Sequence, residues 1–268
     1  MSATLYAVHT SHSAHAARLM LEHKGIEHKV VNLVPGTHAA LLRPLGFRRG
    51  TVPALRLDGR RVQGSRAIAR ALEEAQPEPP LFPADPQKRI RVEEAERWGD
   101  QILQLAPRRL GGWINVRRPE LRTKLAREAG VPAPRLIGSA GWPVAWYFAH
   151  KVGANDTEGV RRTAGMLPAL LDHVEKLLDE GTIGDRQRNA ADFQIGTSVR
   201  LLMTFEDLAP AMESRKAARF ATELMPDYPT GIPAGFVPQE WLEPLLRPIE
   251  RDRECEAQPD DRDPTIGE

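Results

Sequence analysis

Ser65 stands just before an apolar helical stripe, with Ile68 and Leu72 four apart on one face. A hydroxyl at a helix N-terminus sits where unpaired backbone N–H groups and the helix dipole favour an anion. GSRAIARAL therefore reads as an N-capped helix start that can take an anion. Arg66, with Arg48 and Arg49 of the preceding RPLGFRRG loop, offers guanidinium forks that clamp carboxylates bidentately, or else a solvated basic loop. His9, His12 and His15 are spaced by three, with no acidic or thiol ligand near them in sequence. They read as surface or pocket-rim histidines, not metal ligands. Trp142, Trp146, Tyr147 and Phe148 concentrate aromatic surface that forms either a wall for an apolar ligand or ordinary core.

Regular elements must hold these groups. Thr4 to Val8 is a β-type run, His12 to Lys24 is helical in character and closed by Gly25, and His28 to Val34 is a second strand. Strand, helix, strand implies a parallel pair with a crossover. Ala39 to Leu42 reads as a short helix. Val52-Pro53 opens a third strand, and Asp58-Gly59 suits a two-residue turn with both central residues at positive φ. Arg60-Arg61-Val62 is the returning strand. Gln76 to Pro86 carries five prolines and reads as a linker. Beyond it, Ile90, Trp98, Ile102 and Leu105 recur near helical spacing, as do Leu167, Leu171, Val174 and Leu178. Val131 to Phe148, broken by glycines and prolines, has no assigned element. Asn189 and Asp192 form a variant capping box before an apolar segment that reaches Leu208. The division expected is residues 1–75, a linker at 76–86, a helical part at 87–250 and a disordered polar tail at 251–268.

Composition narrows the function classes. With 268 residues and 41% hydrophobic content, the chain can bury one large core or two modest ones. A net charge of +1 argues against a nucleic-acid surface or an anionic membrane as partner. Arginine greatly outnumbers lysine, the pattern of a GC-rich bacterial coding sequence. The single cysteine, Cys255, excludes an intrachain disulfide or a Cys-x-x-Cys site. The first residues lack a basic region followed by an apolar core, and no run is long enough to span a bilayer, so the expectation is a soluble cytoplasmic protein.

Val-Pro at a strand start, the Asp58-Gly59 turn, the Ser65-led helix and LEHKGIEHKVVNL at Leu21–Leu33 together resemble the N-terminal half of glutathione S-transferases. The likeness is clear over residues 1–83 and weaker from 87 onward. It implies an α/β thioredoxin-like βαβαββα domain followed by an all-α helical bundle, and a homodimer. It also implies a cis bond at Val52-Pro53, with the backbone of Val52 holding a thiol peptide and Ser65 its γ-glutamyl carboxylate. By this alignment Ser11, with Ser13 as second choice, falls where the family keeps its thiol-activating residue, and His12 lies beside the thiol. A hydroxyl there donates to a thiolate, although a serine at that place also caps a helix. Thr51 and Gly64 depart from the family's usual residues, and Arg66 adjoins the same subsite. The function implied is conjugation of glutathione or another low-molecular-weight thiol to an apolar electrophile, with no metal and with Trp142, Trp146 and Tyr147 as the electrophile pocket. The alternative is a non-catalytic ligand-binding or assembly protein on the same fold.

Overall fold

The computed structural model describes residues 1–246; the expected tail at 251–268, with Cys255, lies outside the described residues. The chain opens with β1 (Ala3–Ala7), α1 (His12–His23), β2 (His28–Asn32) and α2 (His38–Leu42). It continues through β3 (Ala54–Leu57), β4 (Arg60–Gln63) and α3 (Ser65–Ala75). The sheet order is β2-β1-β3-β4, with β1 parallel to β2 and antiparallel to β3. This is the thioredoxin-like order, with an all-α region after it.

Local chemistry explains these elements. Asp58 and Gly59 have φ of 45° and 84°, so the β3–β4 turn takes the mirror-image form that suits the strand twist. Gly25 ends α1 at φ 63°, where a side chain would be strained. The central strand β1 is buried on both faces. Leu5 joins the main core, while Tyr6 joins Val8, Leu33, Leu42, Phe47 and Ala54 in a smaller cluster.

The proline-rich connection is tied down rather than slack. Leu81 and Phe82 are buried, and the backbone N–H groups of both donate to the Glu73 carboxylate. Lys24, with a fully covered side chain, donates from Nζ to Glu73 and to the carbonyls of Gln76 and Pro77. A buried ammonium persists only with such a complete set of acceptors.

The helical region runs α4 (Pro86–Trp98), a π-helical turn at Gly99–Leu103, α5 (Leu105–Arg117) and α6 (Pro119–Glu128). It continues through α7 (Pro134–Ala140), α8 (Trp142–Lys151), α9 (Thr157–Gly165) and α10 (Leu167–Asp179). Then come α11 (Ala190–Leu202), α12 (Ala209–Met212), α13 (Lys216–Leu224) and α14 (Gln239–Leu246). The stripe expected from Ile90 and Ile102 is not the inward face, since both side chains are exposed. Val92 and Ala95 of α4 and Leu103 of the turn point inward instead, and the π-helical turn's extra residue shifts the phase of α5 relative to α4. The unassigned stretch at 131–148 holds two helices from Pro134 onward, because Pro134 and Pro143 fall in the first turns of α7 and α8, where proline is tolerated.

Helix α11 is buried along nearly its whole length and packs on α1, α3, α4, α5 and α13. Its first turn cannot reach water, so its N–H groups need internal partners. Asn189 Oδ1 accepts from the backbone N–H of Ala191 and Asp192 at 2.9 and 3.2 Å, and Asp192 Oδ2 accepts from Asn189 N at 2.7 Å. Asp192 Oδ1 also accepts from Gly184 N at 2.7 Å. Replacing Asp192 with Ala strands two backbone donors, each costing about 1–3 kcal/mol when buried. The expected result is a loss of about 2–4 kcal/mol in chemical denaturation, against about 0.5–2 kcal/mol for a surface cap.

Candidate thiol and ligand site

The β1–α1 junction carries the first candidate. Ser11 is the N-cap of α1; its Oγ accepts from Ala14 N at 3.4 Å and lies 3.2 Å from Ser13 Oγ. The capping bond uses a lone pair, so the hydroxyl proton is left to donate to Ser13 or to a ligand. Val52 precedes Pro53 through a cis peptide bond. Its backbone N–H and carbonyl have no hydrogen-bond partner among the described residues. The loop behind it is braced by Gln63, whose Nε2 donates to the carbonyls of Arg49 and Thr51 at 2.6 and 3.1 Å.

Ser11 and Val52 both line two adjoining cavities of about 600 and 630 Å³ between the sheet domain and the helical domain. Thr51, His12, Ser13 and Tyr147 line the first cavity. The second is walled by apolar groups such as Val34, Leu125, Val131, Ile137 and Val144. Gly36 makes room for that wall, because a Cβ there would stand 2.7 Å from Val144 Cγ1.

His12 is buried, and its Nε2 lies 3.3 Å from Gln104 Oε1. Gln104 in turn donates from Nε2 to the backbone carbonyl and the carboxylate of Asp100. Its amide oxygen thus faces His12 as an acceptor and selects the tautomer protonated at Nε2. Desolvation, with the positive charge of Arg108 added, lowers the His12 pKa to about 3. His15 is similarly lowered to about 4, chiefly by burial, although its Nε2 bonds the His9 carbonyl at 2.7 Å. Both rings are neutral near pH 7. Among the described residues no group of three or more His, Cys, Asp or Glu is placed to hold a metal.

The other sequence candidates sit differently. Ser65 is not the cap of α3. Gly64 is, at φ 90°, a conformation that turns the chain so that Ser65 becomes the first helical residue and is buried. Its hydroxyl donates to Gln194 Oε1 of α11 at 2.6 Å, and it lines neither cavity. Arg66 is paired with the buried Glu96 at 3.4 Å, alongside Arg70 at 2.6 Å, so its fork is already engaged. Arg48 and Arg49 also lie outside both cavities. Trp142 and Trp146 are 49% and 44% exposed and point away from the cavities, Trp146 stacking on His150. Tyr147 and Phe148 supply the aromatic lining instead. Sequence reasoning missed Arg108, Gly111, Gly112 and Asn115, which place one face of α5 along the first cavity. Their spacing was the available signal, since residues at i, i+3, i+4 and i+7 share a helix face.

Residues 5–80 match the family described as "Glutathione S-transferase, N-terminal domain". The maleylacetoacetate isomerase of Rattus norvegicus is 37% identical over 96 residues, 33% of this chain and 43% of that protein. The N-terminal domain of this chain is therefore similar to that of glutathione S-transferases. The match thus spans under half the length of that curated relative. Among solved structures, a glutathione S-transferase from Rhodospirillum rubrum F11 aligns with TM-score 0.58 at 20% identity, covering 91% of this chain and all of that one. FzlA from C. crescentus aligns at 0.56 and 19%, covering 92% and 100%. A Methylobacterium radiotolerans glutathione S-transferase in complex with glutathione sulfonate aligns at 0.56 and 22%, covering 87% and 97%. At these identities the likeness shows the fold: a thioredoxin-like domain followed by an all-α one.

His12 bridges the two domains through Gln104, and its protonation has a readable cost. The unfolded chain takes up a proton at each of His12 and His15 near pH 6.5, whereas the folded chain resists until about pH 3 and 4. Their contribution is therefore complete above pH 6.5 and is lost as the pH falls. Each steepens the decline by up to about 1.4 kcal/mol per pH unit. Urea unfolding at pH 7 and pH 5 is expected to show a smaller acid-induced loss for His12→Asn than for wild type. Equal losses would mean that His12 accepts a proton in the folded state.

Proposed function

We propose that the chain binds a low-molecular-weight thiol, glutathione or another cellular thiol, and joins it to an apolar electrophile. The observation carrying this reading is that Ser11 and Val52 line the same pair of cavities, while the Val52 backbone N–H and carbonyl have no partner among the described residues. A thiol peptide held by the Val52 N–H and carbonyl would lay its sulfur near the start of α1. There the Ser11 hydroxyl donates a hydrogen bond to the thiolate, and the helix N-terminus adds its partial positive charge. A free thiol near pKa 8.5 drops by about 1–5 units in such surroundings, which raises the thiolate fraction at neutral pH. The thiolate lone pair attacks the electrophilic carbon, and a leaving group departs with the displaced electron pair. Isomerisation through a transient thiol adduct, in keeping with the rat relative's name, would use the same nucleophile. The family resemblance extends the proposal to a homodimer acting in the cytoplasm. No helix among the described residues is long and apolar enough to cross a membrane.

One observation favours a second reading, a binding protein without catalysis. Ser65 and Arg66, which would anchor the thiol peptide's carboxylate, are engaged by Gln194 and Glu96. Either that anchor opens on binding, or the ligand is held by other groups.

The test is a thermal-shift screen with several cellular thiols, followed by pH–rate profiles of the wild type and Ser11→Ala. A thiol at 100 times its Kd stabilises the fold by about 2.7 kcal/mol. Ser11→Ala is expected to keep thiol binding and move the profile alkaline by about one unit or more. Losing the cap costs stability by itself, but that does not move a bound thiol's pKa. An unmoved profile transfers the role to Ser13, and a wild type that binds no thiol leaves the binding-protein reading.

A further inference from the structure

The near-neutral charge of the whole chain averages over an uneven distribution. Residues 28–57 and 129–155 contain seven Lys or Arg and no Asp or Glu, so the remainder of the sequence sums to −6. The two segments adjoin in the structure. A Cβ on Gly36 would stand 2.7 Å from Val144 Cγ1, and the rings of His38 and Phe148 lie 5.0 Å apart. Arg43 of the first segment and Lys151 of the second line the same cavity. Arg43, Arg48, Arg49, Arg135 and Lys151 are all exposed, and none makes an ion pair among the described residues.

Apolar side chains crowd the same two segments. Among the described residues, nine of the fourteen exposed large apolar side chains fall there, so their exposure is concentrated and not scattered. Val34, Leu41 and Leu45 come from the first segment, and Leu136, Ile137, Trp142, Val144, Trp146 and Tyr147 from the second. An ordinary surface helix turns its large apolar residues to the core. Helices α7 and α8 do the reverse. Gly138 of α7 is buried against Thr123 of α6, and Arg122 donates from Nε to the Gly138 carbonyl at 2.6 Å. That packing pins α7 with Leu136 66% exposed. Helix α8 turns Ala145 and Ala149 inward, with Ala149 beside Gly112 of α5. The opposite arc of α8 then carries Trp146, Tyr147, His150 and Lys151 outward.

Such a face needs a partner that takes up both apolar tips and cations. A second copy fits badly, because a two-fold contact would set these cations against their own copies with no carboxylate between them. Tryptophan and tyrosine beside arginine and lysine suit the headgroup level of a bilayer, where the rings sit at the interface and the cations meet phosphate. We propose that α7 and α8, with the loop at 41–49, form a docking surface for an anionic lipid bilayer. The chain lies on the membrane there without a spanning helix. Leu136, Trp142 and Trp146 enter the headgroup region, and Arg48, Arg49, Arg135 and Lys151 pair with lipid phosphates. This surface stands apart from the thiol-transfer reading and does not depend on it.

Co-sedimentation with large vesicles tests it on the full chain, comparing phosphatidylcholine alone with an equal mixture of phosphatidylcholine and phosphatidylglycerol. At low salt the chain is expected to partition at least about tenfold more strongly onto the anionic vesicles, since each cation at the surface contributes about fivefold. High salt should erase the difference. Trp142→Ser combined with Trp146→Ser should lower binding to the anionic vesicles by about tenfold or more. Arg135→Glu combined with Lys151→Glu should abolish the preference for them. Ile90→Ser with Ile102→Ser, at exposed apolar positions outside the two segments, should bind as wild type does. Absence of binding to the anionic vesicles overturns the proposal and leaves the face to an acidic protein partner. Binding that survives both face variants, or falls equally in the Ile90 and Ile102 variant, overturns it too. Should the tryptophan variant lose its thermal transition, the charge variant decides alone. A wild type that sediments as an oligomer, and that the tryptophan variant dissociates, assigns the face to a second copy and overturns the bilayer.

Discussion

The capping box of α11 is the constraint on which the rest of the structure depends. A helix buried along nearly all its length has no water to satisfy its first turn, so Asn189 and Asp192 must do so from within. Once capped, α11 offers Gln194 to Ser65, lets Ile195 seat against Gly99 and brings Gly196 under Leu224. It also presents Phe193 to the His23 ring of α1 at 5.5 Å. The helix thereby sets how the thioredoxin-like domain meets the helical one. The cavities between the domains take their shape from that meeting. Desolvation pushes the Asp192 carboxyl up to about 6, even though two backbone N–H groups and Arg188 oppose the shift.

Placement at the domain boundary explains the partners of the α3 start. With Gly64 as its cap at positive φ, Ser65 is the first helical residue and faces α11. Ser65 then serves the interface between domains, as do Arg66 and Arg70 through Glu96, whose pKa burial raises against their charges.

Much of the fold was legible because it rests on local rules. The Asp58-Gly59 turn, Gly25 after α1 and the Asn189–Asp192 box each require particular residues at particular backbone angles, and those residues are visible in one sequence. The inward face from Ile90 to Leu105 was not legible, because the π-helical turn at Gly99–Leu103 interrupts the 3.6-residue period on which that reading rests. The helices at 134–151 were hidden by prolines that open them. Of the candidate residues, Ser11 and Val52, named by resemblance, line the same cavities, whereas the fate of Ser65 depends on Gln194, separated from it by 129 residues. Trp142 and Trp146 misled because aromatic density does not say which face of α8 turns inward; Ala145 and Ala149 do so.

The most direct test of the central claim is a crystal structure of the chain with a thiol peptide such as glutathione bound. The account predicts the sulfur within hydrogen-bond distance of Ser11 Oγ, the peptide backbone paired with the N–H and carbonyl of Val52, and the Ser65–Gln194 contact intact. A sulfur lying away from the start of α1, or a γ-glutamyl carboxylate on Ser65 with Gln194 displaced, would contradict it.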